Sequence, residues 1–248
     1  MESFADEHVE RLEADSTVEA LEVGAGSGAL TEALSHRVKS LLATDFAPKM
    51  IELLRERMRC VGVTNVRCEV MDGQALDLDN GLFDAAACSF ALMLFPDRRK
   101  GFSELCRVIR PGGRAVVSGW AGPEKFELFG LFLDAMAEAF PDMPRPASSP
   151  PVFSLSDPAR FKSEMESGGF HDVEVEFVAR ETEVANLDDL WAMLTTGAPP
   201  VQALLDRVSA SGEQLLRESV SKIVEQRFGS GPITMTNVAT IGVGCKSG

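Results

Sequence analysis

The stretch ALEVGAGSGALTEAL, residues 20–34, places Gly24, Gly26 and Gly28 within five positions, between an apolar run and a helical pattern. The short apolar run before the glycines reads as a buried strand, and the periodic segment after them reads as a helix opening on the last glycine. A glycine-rich turn at that junction brings bare backbone against a small charged ligand. Gly24, Gly26 and Ala29 meet the spacing G-x-G-x-x-G/A, which alone is a weak signal. That fingerprint also expects an acidic residue about 20 positions on, for ribose hydroxyls. Asp45 stands 21 positions after Gly24, at the end of the next expected strand. Turn and acid together point to an adenosine-bearing ligand. Helix capping is the alternative role for Asp45.

Three ligand classes compete for this turn. A nucleoside triphosphate fits poorly, because the chain has no GxxxxGK[ST] and no lysine follows the glycines. A dinucleotide would bring its pyrophosphate beside Glu22, two residues before Gly24, and meet a like charge at short range. A ligand carrying an ammonium and a sulfonium would welcome that carboxylate. The alternative for Glu22 is a solvated strand end.

Working outward, strands are expected at 18–23, 38–45, 66–72, 84–92, 114–120, 171–184 and 233–245. Helices are expected at 28–37, 48–60, 98–110, 124–140, from Asp157-Pro158 to Gly168, and within 187–228. Pro111-Gly112-Gly113 reads as a stop after the third of these helices. Residues 141–151 hold five prolines and read as a loop. Strands and helices alternate at short intervals. The fold class is therefore α/β: a doubly wound, Rossmann-like sheet of seven strands, mostly parallel, with an antiparallel last strand and a helical insertion before it. We expect one domain over 1–248, with a core at 15–140 and a substrate-facing region at 141–248. The 187–228 segment is expected to act as a lid, with Thr195-Thr196-Gly197-Ala198-Pro199-Pro200 as its flexible break. Packing on the back of the sheet is the alternative.

The 248 residues carry a net charge of −14, which disfavours a nucleic-acid partner. No apolar run is long enough to span a bilayer, and the acidic, polar start is not a secretory signal. Cys60, Cys68, Cys88, Cys106 and Cys245 lie far apart with no CxxC pair, so reduced thiols and a cytoplasmic location are expected. A small-molecule substrate, no nucleic acid, no membrane, and a monomer or homodimer complete the expectation.

At this point the residues resemble a known family. Glu22-x-Gly24-x-Gly26-x-Gly28 is similar to the first motif of class I S-adenosylmethionine-dependent methyltransferases, of the small-molecule, type 11-like kind. Asp45-Phe46-Ala47-Pro48-x-Met50 resembles the acidic second-strand motif, with a ribose-binding carboxylate and an apolar neighbour under the adenine. Asp72-Gly73-Gln74-Ala75-Leu76 resembles the loop whose Asp meets the adenine amino group. Phe83-Asp84 and Ser89 to Asp97 resemble the fourth strand and its exit, and Leu105-x-Arg107 to Gly113 resembles the turn before strand five. The likeness runs over roughly residues 4–120. It implies S-adenosylmethionine as cofactor, held by Glu22, Gly24, Ala25, Gly26, Gly28, Asp45, Phe46, Met50, Asp72, Gly73, Gln74, Ser89 and Phe90. Two departures stand out: only 17 residues precede the first expected strand, so the N-terminal helical cap that such proteins often carry is expected to be shortened or missing here, and the chain has no tyrosine.

Methyl transfer is an in-line displacement in which the protein mainly aligns donor and acceptor. Candidate bases are scarce. His36 and His171 fall at element ends and read as surface residues, while His8 could fold over the site. No acidic cluster suggests a metal. Met93, Trp191 and Met193 are the candidate substrate contacts. Phe126, Phe129, Phe132, Met136 and Phe140 read as core at helical spacing, or as an apolar pocket. The reading is a methyltransferase acting on a small, largely apolar molecule, with no catalytic residue assigned. An NAD(P)-dependent oxidoreductase, a non-methylating enzyme on the same fold and a partner subunit remain as alternatives.

Overall fold

In the computed structural model, residues 4–143, 150–196, 205, 208–229 and 231–248 are described. The elements are α1 (Phe4–Arg11), β1 (Glu19–Val23), α2 (Ala29–Ser35), β2 (Ser40–Asp45), α3 (Pro48–Val61), β3 (Val66–Val70), β4 (Phe83–Ser89), α4 (Arg98–Val108), β5 (Ile109–Trp120), α5 (Glu127–Ala139), α6 (Pro158–Ser167), β6 (Phe170–Val184), α7 (Leu187–Thr196), α8 (Ala210–Phe228) and β7 (Ile233–Lys246). Seven strands form one sheet in the order β3-β2-β1-β4-β5-β7-β6. β1 pairs in parallel with β2 and β4, β2 with β3, and β4 with β5. β7 pairs antiparallel to β5, and α7 and α8 precede it. The expected architecture is present.

Local chemistry explains the helix ends. α3 opens on Pro48 and closes on Gly62 at φ +79, with Ile51, Leu54 and Met58 buried on one face. α6 opens on Asp157, whose carboxylate accepts from the backbone N–H groups of Ala159 and Arg160. In β4, Ala85 to Cys88 are buried on both faces, as a central parallel strand requires.

Several expected boundaries shift. β4 stops at Ser89 rather than Leu92, because Phe90 turns to φ +53 and Leu92–Leu94 form a 3-10 turn. α4 stops at Val108, and Pro111-Gly112-Gly113 lies inside β5 as an irregularity between the pairs Phe83–Ile109 and Ala85–Arg114. A side chain at Gly113 would lie 2.5 Å from the Asp84 carbonyl, so glycine is what lets the strand return to register. α5 starts at Glu127, after a 3-10 turn at Pro123–Lys125. An unexpected helix, α1, precedes β1.

The chain forms two compact units, one of Met1–Trp120, Pro151–Val178 and Ala239–Gly248, the other of Ala121–Pro150 and Ala179–Val238. In the second, α5 packs on α8, with Phe129, Phe132 and Met136 buried from one helix and Leu216, Val220 and Val224 from the other. Lys222 pairs with Glu138, and Arg227 with Asp134, along the same helix pair. The phenylalanines of α5 are therefore core. Residues 144–149 and 197–200, within the expected loop and lid break, lie outside the described residues.

Candidate functional site

Each glycine of the turn after β1 has a separate reason to be glycine. A side chain at Gly24 (φ +73) would lie 2.2 Å from the Ala91 Cβ, so the turn can press against the exit of β4 only without one. At Gly28 (φ +91) it would lie 2.4 Å from Leu54 Cδ1, blocking the contact of α2 with α3. At Gly26 (φ +52) it would meet nothing within 4 Å. Two glycines thus serve packing, and the third faces open space. The N–H groups of Gly24 and Ala25 both donate to the Thr44 carbonyl, at 2.8 and 2.9 Å, which pins the turn to the end of β2.

Asp45, the last residue of β2, is buried. It accepts from the Gly26 N–H at Oδ2 and from the Ala47 N–H at Oδ1, both at 2.9 Å. It clamps the glycine turn and orders the step into α3, but Ala47 holds the N-cap position without a side-chain cap bond, so Asp45 is not the helix cap. A carboxylate offers about four lone-pair sites, and two of these remain for a ligand hydroxyl.

Glu22 is 1% exposed, which rules out a solvated strand end. The Thr31 hydroxyl of α2 donates to its Oε2 at 2.6 Å. Burial, with the charge of nearby Asp45 adding to it against the Thr31 bond, pushes the Glu22 carboxyl up to about 8. At neutral pH it is mostly protonated, so the repulsion of a pyrophosphate expected from the sequence is not carried by a standing charge. Among the described residues, no lysine or arginine pairs with Glu22 or Asp45.

The remaining expected residues follow the carboxyl ends of the strands. Phe46 is 77% exposed and Met50 39%, presenting apolar surface just past Asp45. Asp72 is exposed and accepts from the Gln74 backbone N–H at 2.9 Å. Gly73 is buried where a side chain would lie 2.6 Å from Val23 and Phe95. The Gln74 side-chain oxygen accepts from the Asp97 N–H at 2.8 Å, tying this loop to the start of α4. Ser89 ends β4, and Phe90 turns there, its N–H shared between the carbonyl and hydroxyl of Ser118. Met93 is buried, its carbonyl accepting from the Ser154 hydroxyl. Trp191 and Met193 lie in the second unit, where the Arg217 guanidinium sits 5.9 Å from the Trp191 ring centroid.

Sequence reasoning missed an aromatic group at the ends of β4 and β5. Phe90 stacks on Trp120 with centroids 4.1 Å apart, and Phe4 of α1 stands edge-on to both, at 5.4 and 5.6 Å. The signal was the spacing of Phe4, His8 and Leu12, one apolar stripe of a short helix, hidden by its acidic neighbours. His36 is exposed and His171 pairs with Asp172, as surface residues do. Among the described residues, no group of three or more His, Cys, Asp and Glu could hold a metal ion, and no helix is long and apolar enough to cross a membrane.

Residues 21–117 match the family model described as "Methyltransferase domain". A demethylmenaquinone methyltransferase of Thermus thermophilus is 36% identical over 113 residues, which cover 45% of this chain and 50% of that protein. The chain spans about half the length of the curated relatives it matches. Among solved structures, Haemonchus contortus phosphoethanolamine N-methyltransferase 2 in complex with S-adenosyl-L-methionine aligns with a TM-score of 0.59 at 17% identity, over 99% of this chain and 52% of that one. The [4+2]-cyclase SpnF aligns with a TM-score of 0.61 at 17% identity, over 99% and 81%. At such identities the two structures speak for the fold.

Proposed function

Because the chain carries a class I S-adenosylmethionine-dependent methyltransferase domain, we propose that it binds S-adenosylmethionine and transfers the methyl group to a small, apolar, quinone-like acceptor. The observation that carries this reading is a pair of buried carboxyl groups, Glu22 and Asp45, without a cationic partner among the described residues, beside the open space at Gly26. That donor set fits a ligand with an ammonium and a ribose. Glu22 would serve the ammonium end and Asp45 the ribose hydroxyls, with the backbone of Gly24, Ala25, Gly26 and Gly28 along the ligand. Phe46 and Met50 would flank the adenine, Asp72, Gly73 and Gln74 its edge, and Ser89 and Phe90 the end nearest the sulfonium. When bound, the cofactor supplies an electrophilic methyl group, and the chain's residues align it and keep water away. Met93, Trp191 and Met193 are proposed to bear on the choice of acceptor.

Titration calorimetry with S-adenosylhomocysteine tests the reading. Saturable binding is expected, with no heat from NAD(H) or NADP(H). Binding of a nicotinamide nucleotide without S-adenosylhomocysteine would turn the assignment to hydride transfer. Methyl counting on a hydroquinone then separates transfer from a cyclase-type use of the same fold.

A further inference from the structure

α1 runs back along β5. Its last residue, Arg11, offers its carbonyl to Arg114 midway along that strand, and its first, Phe4, lies against Trp120 at the strand's end. His8 sits one turn from Phe4 on the same face and is fully buried. Its Nδ1 lies 2.8 Å from the Phe4 carbonyl. A carbonyl can only accept, so Nδ1 carries the hydrogen and Nε2 presents a lone pair. That bond lays the imidazole back over the Phe4 turn, beneath the residue that joins the aromatic group. Nε2 is buried and has no hydrogen-bond partner among the described residues. A buried acceptor of this kind is rare in folded proteins and calls for a donor. Burial also drives the imidazole down to about 4, so at neutral pH it is uncharged and able to accept.

Two features therefore adjoin: flat aromatic surfaces at the ends of β4 and β5, and an unmatched acceptor one helical turn beneath Phe4. We propose that Phe90 and Trp120 with His8 form a subsite for an aromatic alcohol, whose ring takes the place of the Phe4 ring against them and whose hydroxyl donates to His8 Nε2. A ligand that displaces the half-buried Phe4 ring reaches the imidazole. The ring supplies area and stacking, while the single hydrogen bond fixes which edge of the ligand points inward. The subsite rests on the methyl-transfer reading only in naming this ligand as the methyl acceptor. It makes α1 part of the acceptor site rather than a mere cover.

α-Naphthol and its methyl ether, which keeps the ring and lacks the hydroxyl proton, probe the subsite in the presence of S-adenosylhomocysteine. The chain has three histidines, so nitrogen NMR resolves His8. The His8 Nε2 resonance should move on adding α-naphthol and stay in place with the ether. α-Naphthol should bind at least about tenfold tighter than the ether, the cost of leaving a buried polar group unmatched. His8→Asn keeps a donor for the Phe4 carbonyl. It should erase that preference while holding S-adenosylhomocysteine affinity within about twofold. An unmoved Nε2, or equal affinity for the two probes, overturns the proposal. Failure to bind S-adenosylhomocysteine removes the methyl-transfer reading, and the naming of the acceptor with it. Normal cofactor binding without a naphthol preference overturns the subsite alone.

Discussion

The two ends of the parallel strands treat their carboxylates in opposite ways. At the amino ends of β1 and β4, Glu19 and Asp84 share Arg110, Lys39 also pairs with Glu19, and all four side chains are at least a third exposed. At the carboxyl ends of β1 and β2, Glu22 and Asp45 are buried, held only by a threonine hydroxyl and backbone N–H groups. The first end is a finished ion-pair network, complete without a ligand. The second stores two acids where water is excluded and, among the described residues, no arginine or lysine answers them. Burying unpaired acids costs stability, so the arrangement makes sense where a ligand brings the positive charge.

The largest effect expected from this contrast is on the pH dependence of stability. The Glu22 carboxyl is raised from 4.5 to about 8 in the fold. Its protonated form is the one the fold prefers, so its contribution is full below 4.5 and is lost as the pH rises through 8. The loss is on the order of 5 kcal/mol over the whole interval, and about 2 kcal/mol between pH 6.5 and 8.5. Glu22→Gln should flatten that decline in denaturant unfolding. S-adenosylhomocysteine affinity of the wild type should tighten over the same rise, as Glu22 ionises, and Glu22→Gln should remove that tightening. Equal slopes for the two proteins would mean that Glu22 is already ionised in the fold. On the acid side, His8 is lowered from 6.5 to about 4. Its contribution is present above 6.5 and lost as the pH falls toward 4, and His8→Asn should remove that decline.

Smaller effects follow from the groups that line the turn. Asp45→Ala leaves the Gly26 and Ala47 N–H groups unmatched, a loss of about 2 kcal/mol in stability, and should weaken S-adenosylhomocysteine by ten- to hundredfold. Unchanged calorimetry would take Asp45 out of the cofactor site. Gly26→Ala meets no neighbour but forces a side chain to φ +52, at a cost of about 1 kcal/mol. Its loss of cofactor affinity should exceed its loss of stability. A variant that melts early yet binds normally would make Gly26 a purely structural turn residue.

The glycine turn, the strand order and the antiparallel last strand were legible because each has a local signature in spacing or alternation. Glu22 was legible as a candidate site residue but not as a buried acid. Position at a strand end says nothing about coverage; that follows from β1 lying between β2 and β4 with helices over the sheet. The end of β4 was misplaced because the small residues from Ala85 run smoothly into Phe90, and a left-handed turn at a phenylalanine leaves no mark in the sequence. α1 has eight residues and would be marginal alone, so it exists through the packing of Phe4, His8 and Leu12 rather than through propensity. That packing is long-range, which is why the aromatic group it completes stayed hidden.

The smallest effect sharpens the comparison from its other side. Arg110 reaches both Glu19 and Asp84, yet it lies in water, where its attraction for either acid is screened and the ordering of its long side chain offsets much of the gain. Arg110→Ala should leave S-adenosylhomocysteine affinity unchanged and the melting temperature near that of the wild type. Whatever difference appears should shrink as salt is added. Glu22→Gln should instead keep its effect in high salt, because the carboxyl it replaces is buried from the counterions. If Arg110→Ala weakened the cofactor as Glu22→Gln does, the two ends of β1 and β4 would be coupled through the strands, and the division between a finished end and a waiting end would fail.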